Sequence, residues 1–197
     1  MTEPRLSPLP APRGERLAEE LGLPSHTGSL LAFRVIANHP ALARGIFTQH
    51  AALRHQGRLC GRHRELLIMR VAWRSGSVYE WSQHWSVAIG AGVPPDHLLS
   101  VRQWHEADCF SPADRAVLQA VDDVFEQGEV LPASWERCSE ALGDPLLALE
   151  VAVAIVHWRG LAVLFRSLAI PLEKGAVPWP SDGRSPADCV PATGEAR

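Results

Sequence analysis

Apolar positions recur along the middle of this chain at intervals of three and four residues, the period of a helix with a buried face. The pattern predicts helices over residues 15–21, 29–38, 40–55, 62–74, 78–89, 95–104, 112–125, 132–142 and 144–170. Local signals bound several of them. Pro40, Pro94-Pro95 and Pro112 sit where helices open, since a first-turn residue has no intrahelical use for its N–H. Ser77 and Ser111 read as N-caps, and Gly90 and Gly92 stop the helix that Ser77 begins. Strand-like alternation between turn pairs is absent. The fold class is therefore all-α.

Prolines punctuate both ends: Pro4, Pro8, Pro10 and Pro12 at one, Pro171, Pro178, Pro180, Pro186 and Pro191 at the other. Each removes a backbone donor and biases its predecessor away from helix. Residues 1–25 accordingly read as a partly disordered N-terminal arm, 26–175 as the helical domain, and 176–197 as a proline-rich tail. At 46% hydrophobic and 21% charged over 197 residues, the composition excludes a wholly disordered chain or a collagen-like repeat. The four cysteines (60, 109, 138 and 189) are far apart, with no Cys-x-x-Cys to make a redox pair or zinc knuckle. Isolated thiols and an N-terminus unlike a signal peptide point to the cytoplasm. The apolar stretch 145–170 is interrupted by Glu150, His157, Arg159 and Arg166, and reads as a buried helix, with no membrane partner expected.

Net charge is −3, which does not suggest nucleic acid as a partner. Residues 44–74 nonetheless hold seven arginines against one acid, Glu65. That run reads as a site for an anionic small molecule, a face between subunits, or a solvated helix face. A helix-turn-helix with a basic recognition helix is not evident in residues 1–40, which argues against a transcription regulator.

Candidate chemistry gathers on the two helices either side of Ser75-Gly76-Ser77. At about 100° per residue, Glu80 and His84 point the same way and head a stripe continued by Val87, Ala88 and Ala91. Glu65 heads a second stripe with Ile68, Met69 and Ala72. The short link makes the helices neighbours, so Glu65, Glu80 and His84 can converge on one pocket as catalytic residues. Such groups are costly to bury unless paired or used, and their pKa values are readily tuned for proton transfer. Arg64, Ser77 and Trp81 are the candidate substrate contacts. Structural readings stand beside these: Glu80 closing a capping box with Ser77, His84 as a satisfied core histidine, Glu65 paired with Arg62 or Arg64, and Trp81 as core alongside Trp73, Tyr79 and Trp85. The Glu-x-x-x-His spacing suits neither a zinc helix nor a di-iron motif, so no metal is expected.

Arg64-Glu65-Leu66, followed by Ser77-Val78-Tyr79-Glu80-Trp81-Ser82-Gln83-His84, resembles the signature of the carboxymuconolactone decarboxylase and alkylhydroperoxidase D-like superfamily. Asn38-His39-Pro40 and Gly90-x-Gly92 fit the same pattern, and the resemblance covers about residues 30–170. It implies a multi-helical fold with a core helical hairpin, assembled as a trimer, hexamer or dimer. The peroxidase branch implies a Glu, two cysteines and a His in one proton relay. Its Glu and His fall on Glu65 and His84, but its cysteines fall on Ser77 and Glu80. A hydroxyl and a carboxylate cannot carry out thiol–disulfide exchange, so peroxidase activity is not expected. The decarboxylase-like branch keeps Glu80 and His84 and needs no cofactor. The resemblance thus implies lyase or isomerase acid–base chemistry on a small anionic or carbonyl-bearing molecule. The alternative is a non-catalytic family member that binds a ligand or serves in assembly.

Overall fold

The computed structural model describes residues 3–176, 182–184 and 186. Among these, the regular elements are helical: α1 (Ala11–Glu20), α2 (Leu31–Ile36), α3 (Pro40–His55), α4 (Gly61–Ser75), α5 (Val78–Gly90), α6 (Pro95–Ser100), α7 (Pro112–Glu126), α8 (Pro132–Leu142) and α9 (Pro145–Ser167). Two 3₁₀ segments, Ser25–Ser29 and Val101–Glu106, join them. The all-α fold class is as the periodicity predicts. The proline-rich tail expected over 176–197 lies almost wholly outside the described residues.

Departures from the predicted helices have local causes. The helix expected over 15–21 begins at Ala11, because Pro12 occupies a first-turn position that tolerates its missing N–H. The stretch read as an N-terminal arm therefore contains α1. The single helix expected over 95–104 divides into α6 and the second 3₁₀ segment, where Gln103 leaves helical geometry at φ −133°, ψ 48°. Arg70 explains the break. Its Nη1 donates to the carbonyls of Val101 (2.8 Å) and Arg102 (2.9 Å), drawing them to a side chain. The helix expected to reach Ile170 stops at Ser167: Ala169 turns to φ 51° and the Ile170 N–H returns to the Phe165 carbonyl, two residues before Pro171 comes into the chain.

The described chain divides into two compact units, one of residues 3–57 with 164–176 and one of residues 58–163 with 182–184 and 186. In the first, α1 packs closely on the 3₁₀ turn. A Cβ at Gly28 would lie 2.4 Å from the Glu15 Cα, so only glycine fits there. Phe33 and Phe47 meet edge to face at 5.0 Å.

The second unit is built around α4. Every residue from Glu65 to Trp73 is buried, so this helix is enclosed on all sides rather than along one stripe. Gly76 (φ 62°) ends α4 in the left-handed conformation, and the Ser77 N–H bonds back to the Ala72 carbonyl at 2.9 Å. The Ser77 hydroxyl then accepts from the Glu80 N–H at 3.4 Å and starts α5. This tight connection makes α4 and α5 the core hairpin. Leu66, Met69, Trp73, Trp81, Ala88, Leu98, Val101, Trp104, Phe110 and Leu118 pack into one apolar cluster around it. Arg70 sits in α4 as a buried ion: its Nε and Nη2 grip the Asp122 carboxylate of α7, both at 2.8 Å. The Trp104 indole N–H and Arg74 complete the shell around Asp122.

α9 is long and apolar enough to cross a bilayer, with mean hydropathy 1.7 over a window that is 44% buried. Its buried face carries Val151, Ala154, Ile155, Trp158, Leu161 and Ala162. Two of the charges that interrupt it are used inside the unit. Glu150 accepts from the Arg58 and Leu59 N–H groups, and Arg159 donates to the Val124 carbonyl.

Candidate active site

The α4–α5 hairpin brings Glu65 and His84 together. Glu65 Oε2 lies 2.7 Å from His84 Nδ1, and Oε1 accepts from Arg64 Nε at 3.2 Å. Glu65 is fully buried and His84 is 6% exposed, so this ion-pairing group is shielded from water on nearly every side. Of the two arginines considered as partners for Glu65, the structure selects Arg64. Arg62 goes elsewhere, to the Asp114 carboxylate of α7 through Nε at 3.0 Å and Nη2 at 3.0 Å.

Glu80 stands apart from this pair. It is 2% exposed on α5, and neither carboxylate oxygen has a protein hydrogen-bond partner. The capping-box reading of Glu80 is thus only half met: its N–H bonds to the Ser77 hydroxyl, but its carboxylate does not close the box. At Ser111 both halves form with Asp114, which shows what the complete motif looks like in this chain. Burial pushes the Glu80 carboxyl well above the usual carboxylate range, and the nearby Ser77 hydroxyl opposes this only in part. The two acids thus sit in different environments: Glu65 is held by a guanidinium and an imidazole, whereas burial disfavours the charged form of Glu80.

Ser77, 1% exposed, works as the α5 cap and lies beside Glu80. Trp81 is wholly buried, its ring 5.8 Å from that of Trp73 and 6.0 Å from that of Trp85, as in the core reading. Two neighbours were not among the sequence candidates. Trp158 of α9 presents its ring edge-on to His84, with centroids 6.2 Å apart at 85°, and so walls the imidazole. His157 beside it is buried, and desolvation lowers its pKa to about 4. The polar His157 inside an apolar run was a signal of something unusual. Nothing in local spacing ties a residue of α9 to the hairpin.

A family model described as the carboxymuconolactone decarboxylase family matches residues 40–123, which span α3 to α7 and include Arg64, Glu65, Ser77, Glu80 and His84. Among curated proteins none matches. Several solved structures share the fold. One is an uncharacterized peroxidase-related protein from Silicibacter sp. (13% identity, TM-score 0.70, covering 89% of this chain and 92% of that one). Another is the debrominase Bmp8 with 2,3,4-tribromopyrrole (17%, TM-score 0.68, 86% and 91%). A third is a putative antioxidant defence protein of the alkylhydroperoxidase D type from Agrobacterium tumefaciens (17%, TM-score 0.63, 69% and 93%). The chain is thus similar to the carboxymuconolactone decarboxylase family over residues 40–123, and it shares its helical fold with structures of the alkylhydroperoxidase D type.

Proposed function

We propose that this chain is a cofactor-independent acid–base enzyme of decarboxylase-like lyase or isomerase type, acting on a small anionic or carbonyl-bearing substrate. One observation carries the reading: a buried Glu65–His84 contact at 2.7 Å lies on the same hairpin as Glu80, a buried acid with no protein partner. A group so costly to bury without a partner is accounted for if a ligand oxygen supplies one.

In a decarboxylation, the bond to the leaving carboxylate breaks and its electron pair flows into a conjugated lactone or ketone. Carbon dioxide departs and an enolate-like anion remains. The neutral Glu80 acid donates a hydrogen bond to the developing oxyanion. His84, oriented through Nδ1 by Glu65, delivers a proton from Nε2 to carbon and is reprotonated by water. An isomerase would use the same groups, with His84 first removing a proton next to the carbonyl.

Several supports are indirect. The debrominase that shares this fold was solved in complex with a small molecule, 2,3,4-tribromopyrrole. Assembly with further copies of this chain belongs to the same proposal, since α9 presents a second apolar face to solvent. A cytoplasmic location rests on the isolated thiols and is equally a proposal.

Turnover of a panel of conjugated lactone and keto acids, followed by carbon dioxide release, tests the chemistry. His84→Ala and Glu80→Gln are expected to lower kcat by about 10²–10⁴-fold on any substrate the wild type accepts. Wild-type rates in both variants would refute the assignment.

A further inference from the structure

Arg64 has the opposite claim on attention from the one its charge suggests. An arginine next to a candidate site invites a role in gripping a substrate anion, yet its Nε is bonded to Glu65 Oε1 at 3.2 Å, and its side chain is mostly buried. Adjacent residues of a helix diverge by about 100°, so this contact does not arise by default from sequence neighbourhood. The long side chain must fold back across the helix to make it.

We propose that Arg64 is a positioning residue, which keeps Glu65 a carboxylate and so fixes the nitrogen of His84 that performs the chemistry. The inference rests on the acid–base reading of the site. A fully buried carboxyl hydrogen-bonded to an imidazole can hold the shared proton on either side, and burial favours the neutral acid. A guanidinium on the other oxygen reverses that preference. Glu65 Oε2 then remains an acceptor, Nδ1 of His84 keeps its hydrogen, and Nε2 is left as the reactive nitrogen. Arg64 occupies one oxygen and His84 the other, so the carboxylate cannot rotate to offer a different geometry.

Other ionisable groups near the pair are Glu80, one turn before His84 on α5, and His157, beside Trp158 on α9. Burial disfavours charge on each of them, raising the Glu80 pKa and lowering that of His157, and Arg64 is the cation bonded to the pair.

Nitrogen-15 NMR of the histidine rings in the full-length protein, recorded across pH, tests this without a known substrate. With Arg64→Met, the pair loses a neighbouring positive charge and binds its next proton more tightly. The pH at which the His84 ring signals change is expected to rise by at least one unit, a tenfold change in proton affinity. Arg64→Lys retains the charge and is expected to recover at least half of that shift. Arg62→Met, whose guanidinium serves Asp114, leaves the His84 signals in place. Glu65→Gln serves as the reference, since it must alter them if the pair exists. Unmoved signals in Arg64→Met, with altered ones in Glu65→Gln, would overturn the role of Arg64 alone. Failure of the acid–base reading would appear instead as wild-type turnover in His84→Ala.

Discussion

Glu80 is the residue whose chemistry and energetics are hardest to separate. A free glutamate ionises near pH 4.5, but burial holds the proton on the folded carboxyl well above that. Between those two points the folded state binds the extra proton, so stability falls as pH rises, by about 1.4 kcal/mol per pH unit. His157 contributes with the opposite sign. Its pKa drops from 6.5 to about 4 on burial, so the unfolded chain binds the extra proton in that window and stability falls as pH decreases through it. The two effects oppose each other above pH 4.5. Glu80→Gln removes the Glu80 contribution, so the stability difference between the two proteins is expected to move in the variant's favour as pH rises from 4.5, read from urea midpoints of both at a series of pH values. A difference that does not change with pH would show that burial does not raise the Glu80 carboxyl. At this scale the sequence was informative but incomplete. Helical spacing placed Glu80 and His84 on one side of α5, yet could not show that the imidazole turns to Glu65 across the hairpin, because a wheel gives direction and not reach.

Among the elements, α4 and α9 carry long apolar runs and the most structural information. Helical spacing assigns α4 one apolar stripe headed by Glu65, whereas the fold covers the helix on all sides, and its two buried ions, Glu65 and Arg70, each have a partner. Their pairing could not be read from the chain, since Asp122 lies 52 residues from Arg70 and Arg74 competes for the same carboxylate. The break between α6 and the 3₁₀ segment was illegible for the same reason: a distant guanidinium, not a local breaker, opens it. α9 was legible as a helix but only partly as a buried one. Leu146, Leu149, Val156 and Val163 are 60%, 50%, 66% and 58% exposed, and with Val153 and Gly160 they form a 3-4 repeat opposite the buried face. A second α9 running antiparallel would set Val156 against Gly160 and Val153 against Val163, large against small at the centre. Val156→Glu is accordingly expected to shift the protein to monomer in sedimentation equilibrium at micromolar concentration, with helicity retained. A wild type already monomeric there would remove this face from consideration.

For the molecule as a whole, the sequence specified the helical class and the hairpin on which the candidate site sits, because both depend on local periodicity, caps and a short connection. It placed the start of α1 four residues too late, because prolines that weaken a helix interior are harmless in its first turn. It did not place Trp158 against His84, which only the packing of α9 on the hairpin accomplishes. Ser77 and Glu80, where the resemblance would place a peroxidase's two cysteines, serve in this fold as a helix cap and a buried acid. Proton delivery by His84 is the central step of the proposed chemistry. The most direct test is to run the reaction in deuterium oxide and locate the label in the product by mass spectrometry and NMR. Wild type is expected to place one deuterium on the carbon that lost carbon dioxide, on a single face, while His84→Gln yields no product above background. Stereospecific labelling by the His84→Gln protein at the wild-type rate would contradict it.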